Sequence, residues 1–242
     1  MSIHEQILAL PFIKLETLPV HPTKTWDKRD VSKLKGLVIH QSLEEYRKAR
    51  GNAKYHVGPN HISDDGLPGL SYTFFIEAQG PIIYANHIED KTYSQGYGGR
   101  AGDENAEFVS VCVGGNFSGP GYVGTQTPTQ SQIENVRRLW NELAVIFNWT
   151  NDCIYGHYHF GKAACPGNDL MEVIDSIRPA SFTSTIEKQK ALQKLGYYTR
   201  DVDGEWGPGS KDALVAFQKD AGLVPDGVWG DRTTEAVKVA MS

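Results

Sequence analysis

The pentad Asp-Gly-x-Trp-Gly occurs twice near the end of the chain, as Asp203-Gly204-Glu205-Trp206-Gly207 and Asp226-Gly227-Val228-Trp229-Gly230, 23 residues apart. Each copy runs into a helix-forming stretch, 210–221 and 233–240. A further stretch with Ile186, Gln189, Leu192 and Leu195 at helical spacing stands before the first copy. Asp-Gly is turn chemistry, because glycine accepts positive φ without strain and the Asp side chain bonds back to the backbone. A duplicated turn-then-helix unit with a leading helix closes into a small three-helix domain, and the simplest role for Trp206 and Trp229 is to pack its core. The run Arg178-Pro179-Ala180-Ser181-Phe182-Thr183-Ser184-Thr185 reads as a linker. The 242 residues therefore divide into 1–180 and 181–242, a length that suits two domains.

The first part alternates strands and helices and is predicted to be α/β, a mixed central β-sheet flanked by helices. Leu37-Val38-Ile39-His40 is an unbroken apolar run ending in a histidine, as a strand covered on both faces should be. Such a strand would deliver the His40 imidazole to the sheet edge. Residues 72–77 and 81–84 flank Ala78-Gln79-Gly80 and read as a hairpin, and 108–113 read as another strand. Thr127-Pro128-Thr129-Gln130 predicts a helix start, with Thr127 as cap, Pro128 at the first helical position and Gln130 closing a capping box. Ile133, Val136, Leu139, Leu143, Ile146 and Phe147 continue it at helical spacing. Residues 1–35 read as an irregular arm, and 44–69 as a long polar loop of the kind that usually carries function. Residues 91–107 and 114–124 read as further glycine-rich loops.

The chemistry concentrates in Gly156-His157-Tyr158-His159-Phe160-Gly161-Lys162-Ala163-Ala164-Cys165-Pro166-Gly167. Cys165 follows His157 by eight residues, with glycine at both ends of the segment and a Pro-Gly turn behind the sulfur. A loop can fold both side chains onto one point. Thiolate and neutral imidazole suit zinc, and a catalytic zinc takes three protein ligands and leaves its fourth position to water. His40 is the best third ligand. His56 and His61 are rival ligands, or else walls of a substrate groove. His159, two residues past His157, reads as solvated.

Four pieces, 37–42, 72–76, 109–117 and 156–167, have the order and rough spacing of the zinc-dependent N-acetylmuramoyl-L-alanine amidases. That family includes amidase-type phage lysozymes and peptidoglycan recognition proteins. The resemblance implies zinc (Zn2+) at His40, His157 and Cys165, with Tyr72 hydrogen-bonding the nucleophile or the developing oxyanion. The family usually has Lys or Thr two positions before the cysteine, where this chain has Ala163, and Lys162 one residue earlier is the candidate substitute. A histidine common in the family near Ser94-Gln95-Gly96 is missing or displaced. The C-terminal repeat resembles the three-helix peptidoglycan-binding domain attached to many wall hydrolases. Together they imply a phage endolysin-like enzyme that cleaves between N-acetylmuramic acid and L-alanine. The competing implications are a recognition protein without activity, and a cytosolic amidase that recycles wall fragments.

A formal charge of −5 and no Lys/Arg cluster argue against nucleic-acid binding. No segment reads as an export signal or a membrane span. A monomer made in the cytoplasm, acting on bacterial peptidoglycan in the periplasm or outside after release by a holin, is the resulting expectation. With Cys165 on zinc, Cys112 and Cys153 are either free thiols or a disulfide.

Overall fold

The computed structural model describes residues 1–241 except 44–47, 62, 64, 95–102, 119–125, 163, 179–181 and 183. Two compact units are present, Met1–Arg178 and Pro179–Ser242.

The first unit is built on a six-stranded mixed sheet of β1 (Ile13–Lys14), β2 (Gly36–Gln41), β3 (Phe74–Ile76), β4 (Ile82–Tyr84), β5 (Phe108–Val113) and β6 (Ile154–Gly156). Their order across the sheet is β1-β4-β3-β5-β2-β6. β2 pairs in parallel with β5 on one side and with β6 on the other, while β3 and β4 form the expected antiparallel hairpin. Every residue of β2 and β5 is buried, which is why both read as unbroken apolar runs.

Side chains alternate between the two faces. Leu37, Ile39, Val109, Val111 and Val113 pack against Val136, Leu139, Trp140 and Leu143 of α4 (Gln130–Phe147), Leu170 and Ile174 of α5 (Asn168–Ile177), and Ile7 of α1 (Ile3–Leu8). On the other face Phe75, Ile83 and Cys112 meet Ala49 and Ala53 of α2 (Ala49–His56). In register with Cys112, His40 shares that second face.

Several local expectations are corrected. The 1–35 arm contains α1 and β1, and α1 opens with a capping box in which Ser2 accepts from the Glu5 N–H and Glu5 returns the bond. The polar 44–69 stretch contains α2 among its described residues. The cap of α4 is Thr129, paired with Gln132, so the box has the anticipated chemistry two residues later. β2 is an interior strand, and His40 lies on a sheet face rather than at an edge. A short helix, α3 (Glu104–Glu107), leads into β5. All three cysteines are free.

Arg29 ties this unit together from inside. Only 6% exposed, it donates from Nε to Ile88 O at 2.8 Å, from Nη1 to Phe108 O at 2.6 Å and Asn105 O at 3.1 Å, and from Nη2 to Thr73 Oγ1 at 3.2 Å. Burial lowers its pKa to about 10, so it stays charged at neutral pH. Arg29→Ala leaves these acceptors dry, each at about 1–3 kcal/mol. Urea unfolding should therefore show a loss of about 3 kcal/mol or more, against little change for a substitution at the exposed Lys33.

The second unit holds α6 (Thr185–Lys194), α7 (Pro208–Asp220) and α8 (Asp231–Met241) around Leu192, Tyr198, Leu214, Phe217 and Val237. The repeat proves to be one arrangement built twice around a buried glutamine. Gln189 Nε2 shares its two N–H donors among Asp203 Oδ1, Glu205 O and Ser210 Oγ, all at 2.8–3.0 Å, and its Oε1 accepts from Gly204 N. Gln218 does the same with Asp226, Val228, Thr233 and Gly227. Both turn glycines take positive φ, 79° at Gly204 and 68° at Gly227.

Candidate active site

β6 ends at Gly156, level with Ile39, so the chain leaves the sheet beside the last residues of β2. His157 lies just past the end of β6 and opens a single 3₁₀ turn, His157–Phe160. Gly161 reverses the path at φ 89°. The Cys165 N–H then donates to Lys162 O at 2.9 Å, and Tyr158 N–H donates to Cys165 O. These bonds bring Cys165 back alongside His157 and account for the eight-residue spacing. Gly156 and Gly167 bracket the loop because nothing larger fits: a Cβ on Gly156 would run into Met171 and Pro166, and one on Gly167 into the Phe117 carbonyl.

Gln41, which the sequence reading passed over, braces the same loop from β2. Its side chain donates to Ala164 O and to Ser118 Oγ at 3.1 Å, and accepts from Phe117 N. The one available signal was a polar residue directly behind the histidine of an apolar strand.

The donor atoms of His40, His157 and Cys165 lie within 4.8 Å of one another. The imidazoles of His40 and His157 are 4.3 Å apart, and Cys165 Sγ is 3.9 Å from His40 Nδ1. His40 Nε2 is fully buried without a hydrogen-bond partner among the described residues. A buried nitrogen is costly to leave unpaired, and two imidazoles with a thiol are the donor set that zinc prefers. The residues fit a zinc ion. Burial, then the neighbouring His157, holds His40 well below the usual histidine pKa and therefore neutral. Burial pushes the Cys165 thiol up to about 11, against the opposing pull of the Gln41 N–H and the Lys162 ammonium.

Tyr72 stands 5.3 Å from the His40 ring. Its hydroxyl end is enclosed beside Cys112 and Ser71, and burial with the two nearby thiols raises its pKa well above 10. It therefore remains a phenol, a hydrogen-bond donor, at any physiological pH. A line of rings continues away from the cluster, from Tyr72 to His56 at 5.8 Å and from His56 to His61 at 5.2 Å. His56 is buried and its Nδ1 accepts from Ser71 N at 3.0 Å, while His61 Nδ1 meets Ser63 Oγ at 2.6 Å. Both lie outside the three-donor group. Lys162 is exposed, and Ala163 lies outside the described residues, as do Gln95 and Gly96. His159 is half-buried rather than solvated: Arg178 Nη1 meets its Nε2 at 2.8 Å, and its Nδ1 is 3.1 Å from Gly156 O.

The N-acetylmuramoyl-L-alanine amidase family model matches residues 30–168, which contain His40, Tyr72, His157 and Cys165. The chain belongs to this amidase family. A second model, for a putative peptidoglycan binding domain, matches residues 184–237. One curated relative, the N-acetylmuramoyl-L-alanine amidase CwlM of Mycobacterium tuberculosis, is 41% identical over 49 residues. The match covers 20% of the present amidase-family chain and only 12% of that relative's length. Among solved structures, the endolysin amidase LysCS of Clostridium intestinale aligns at TM-score 0.50 and 18% identity, over 69% of this chain and 95% of that one. The peptidoglycan recognition protein SA of a bumblebee aligns at TM-score 0.52 and 15% identity, over 68% and 93%. At such identities the likeness is one of fold, and the mixed sheet with its flanking helices is that of the amidases.

Proposed function

We propose that this protein hydrolyses the amide between N-acetylmuramic acid and L-alanine in bacterial peptidoglycan, with His40, His157 and Cys165 holding zinc and residues 179–242 keeping it on the wall. The observation that carries the reading is the convergence of two buried imidazoles and a thiol, with donor atoms within 4.8 Å of one another, inside an amidase-family fold. Zinc in such a site supplies a polarised carbonyl and a water activated near neutral pH. The chain's own part is to keep the His40 imidazole neutral, to give up the Cys165 proton, and to aim the Tyr72 phenol at the developing oxyanion. Preorganised donors of this kind are usually the largest contribution to such catalysis. His56 and His61 extend the site along one wall and are proposed to contact the substrate. A lytic role at the cell wall, as in a phage endolysin, fits the pairing of an amidase fold with a peptidoglycan-binding module. Among the described residues no helix is long and apolar enough to cross a membrane.

Incubation with purified peptidoglycan tests the reaction. New L-alanine amino termini are expected. New reducing sugar ends would assign a glycosidase instead, and binding without any new ends would leave a recognition protein. A chain ending at Arg178 retains its own core. It should still cleave soluble muropeptides yet hold intact wall poorly, because tethering raises the effective concentration at an insoluble substrate.

A further inference from the structure

Trp206 and Trp229 meet edge to face, with ring centroids 6.2 Å apart and an interplanar angle of 82°. Nothing in the repeat alone says that its two copies come together in this way. Each ring packs one side against the small core, Trp229 also against Phe182, and each remains half-buried. Trp229 spends its indole N–H on Thr234 Oγ1 at 3.1 Å, whereas the Trp206 N–H has no hydrogen-bond partner among the described residues. The Lys188 ammonium stands 5.8 Å from both ring centroids. That is the outer limit of a cation–π contact, so the hold on the ammonium is loose. Among the described residues it faces no carboxylate.

A free cation between two partly bare indoles, beside an unused N–H donor, is a poor arrangement for stability. As a recognition surface it is well suited: aromatic rings accept the apolar C–H face of a sugar, the N–H suits an acetamido or peptide carbonyl, and the ammonium suits a carboxylate. We propose that Lys188, Trp206 and Trp229 form the wall-binding site of the C-terminal unit. Its ligand is an N-acetylated amino sugar of peptidoglycan together with a carboxylate of the attached stem peptide. Peptidoglycan carries both groups side by side. The inference rests on the reading of residues 179–242 as an anchor, and it names the residues that do the anchoring.

The test is sedimentation of the full-length chain with purified sacculi stripped of phosphate-bearing polymers. Lys188→Glu should weaken retention about tenfold or more, and Trp206→Phe should weaken it measurably, both in protein that thermal unfolding shows to be folded at the assay temperature. Lys190→Glu, one residue pair further along α6 and exposed, serves as the charge control and should bind normally. Normal retention of folded Lys188→Glu and Trp206→Phe, with retention lost in the chain ending at Arg178, would overturn this site alone. Full retention of the chain ending at Arg178 would overturn the anchor reading, and this site with it. Retention only on sacculi that keep their phosphate polymers would also overturn the proposal, since the ammonium would then be reading phosphate.

Discussion

Cys165→Ser is expected to lose its zinc and, with it, about 10³-fold or more of the hydrolytic rate, since a metal supplies several kcal/mol of transition-state stabilisation. Serine is nearly the size of cysteine but offers no thiolate at any working pH, so the loop should keep its fold while the donor set falls to two imidazoles. Metal analysis should find one zinc in the unmodified chain, and a chelator should abolish activity that added zinc restores. Full activity in metal-free protein would end the proposal. The protons provide a second check. The Cys165 thiol is pushed up to about 11 and holds its proton at neutral pH. Zinc uptake must therefore release about one proton, and affinity should strengthen as pH rises toward that value. His40 works in the other direction. Held neutral in the fold, it cannot take the proton that the unfolded chain takes near pH 6.5. Metal-free protein should accordingly lose stability as the pH falls below about 6.5.

Tyr72→Phe is expected to lower turnover by about 10²-fold or more at unchanged zinc content, the usual cost of one lost oxyanion donor. The Tyr72 ring, 5.3 Å from the His40 ring, supports that assignment. Lys162 is the competitor. Its charge reaches Cys165, yet its side chain is exposed and one position away from where the amidase family usually has Lys or Thr. Lys162→Ala should cost little if Tyr72 supplies the stabilisation alone. If both act as a unit, each single variant should be crippled and the double variant should lose less than the product of the two. A silent Tyr72→Phe would sink the assignment. Turnover of all three at equal zinc occupancy separates these cases.

Much of the fold was readable because its strands announce themselves. β2 and β5 are buried on both faces and therefore carry unbroken apolar runs, and the β3–β4 hairpin carries its own glycine turn. The elements that were missed gain their order from contacts distant in sequence. α2 has little apolar patterning, and is fixed by Ala49 and Ala53 seated against Phe75 and Cys112. The one-turn path through His157 is set by backbone bonds to Cys165 and Lys162, which residue types do not encode. The three convergent donors were legible as residue types at suggestive spacing. Their brace, Gln41, was not, because its partners Ala164, Phe117 and Ser118 are remote along the chain. The line of rings from His40 to His61 was visible only as scattered histidines.

The twin glutamines of the C-terminal unit separate what can vary from what cannot. From Gln189 to its aspartate the chain spends 14 residues, and from Gln218 to its aspartate 8. Both glutamines nevertheless hold the same four kinds of partner. From each aspartate to the hydroxyl that closes the seat, Asp203 to Ser210 and Asp226 to Thr233, the spacing is identical. The turn is thus a fixed cassette, and the segment feeding it is slack. Foreign peptide spliced into the exposed 199–201 would meet a length already stretched once within this same molecule, whereas a single residue added between Asp203 and Ser210 would pull a buried amide out of its seat.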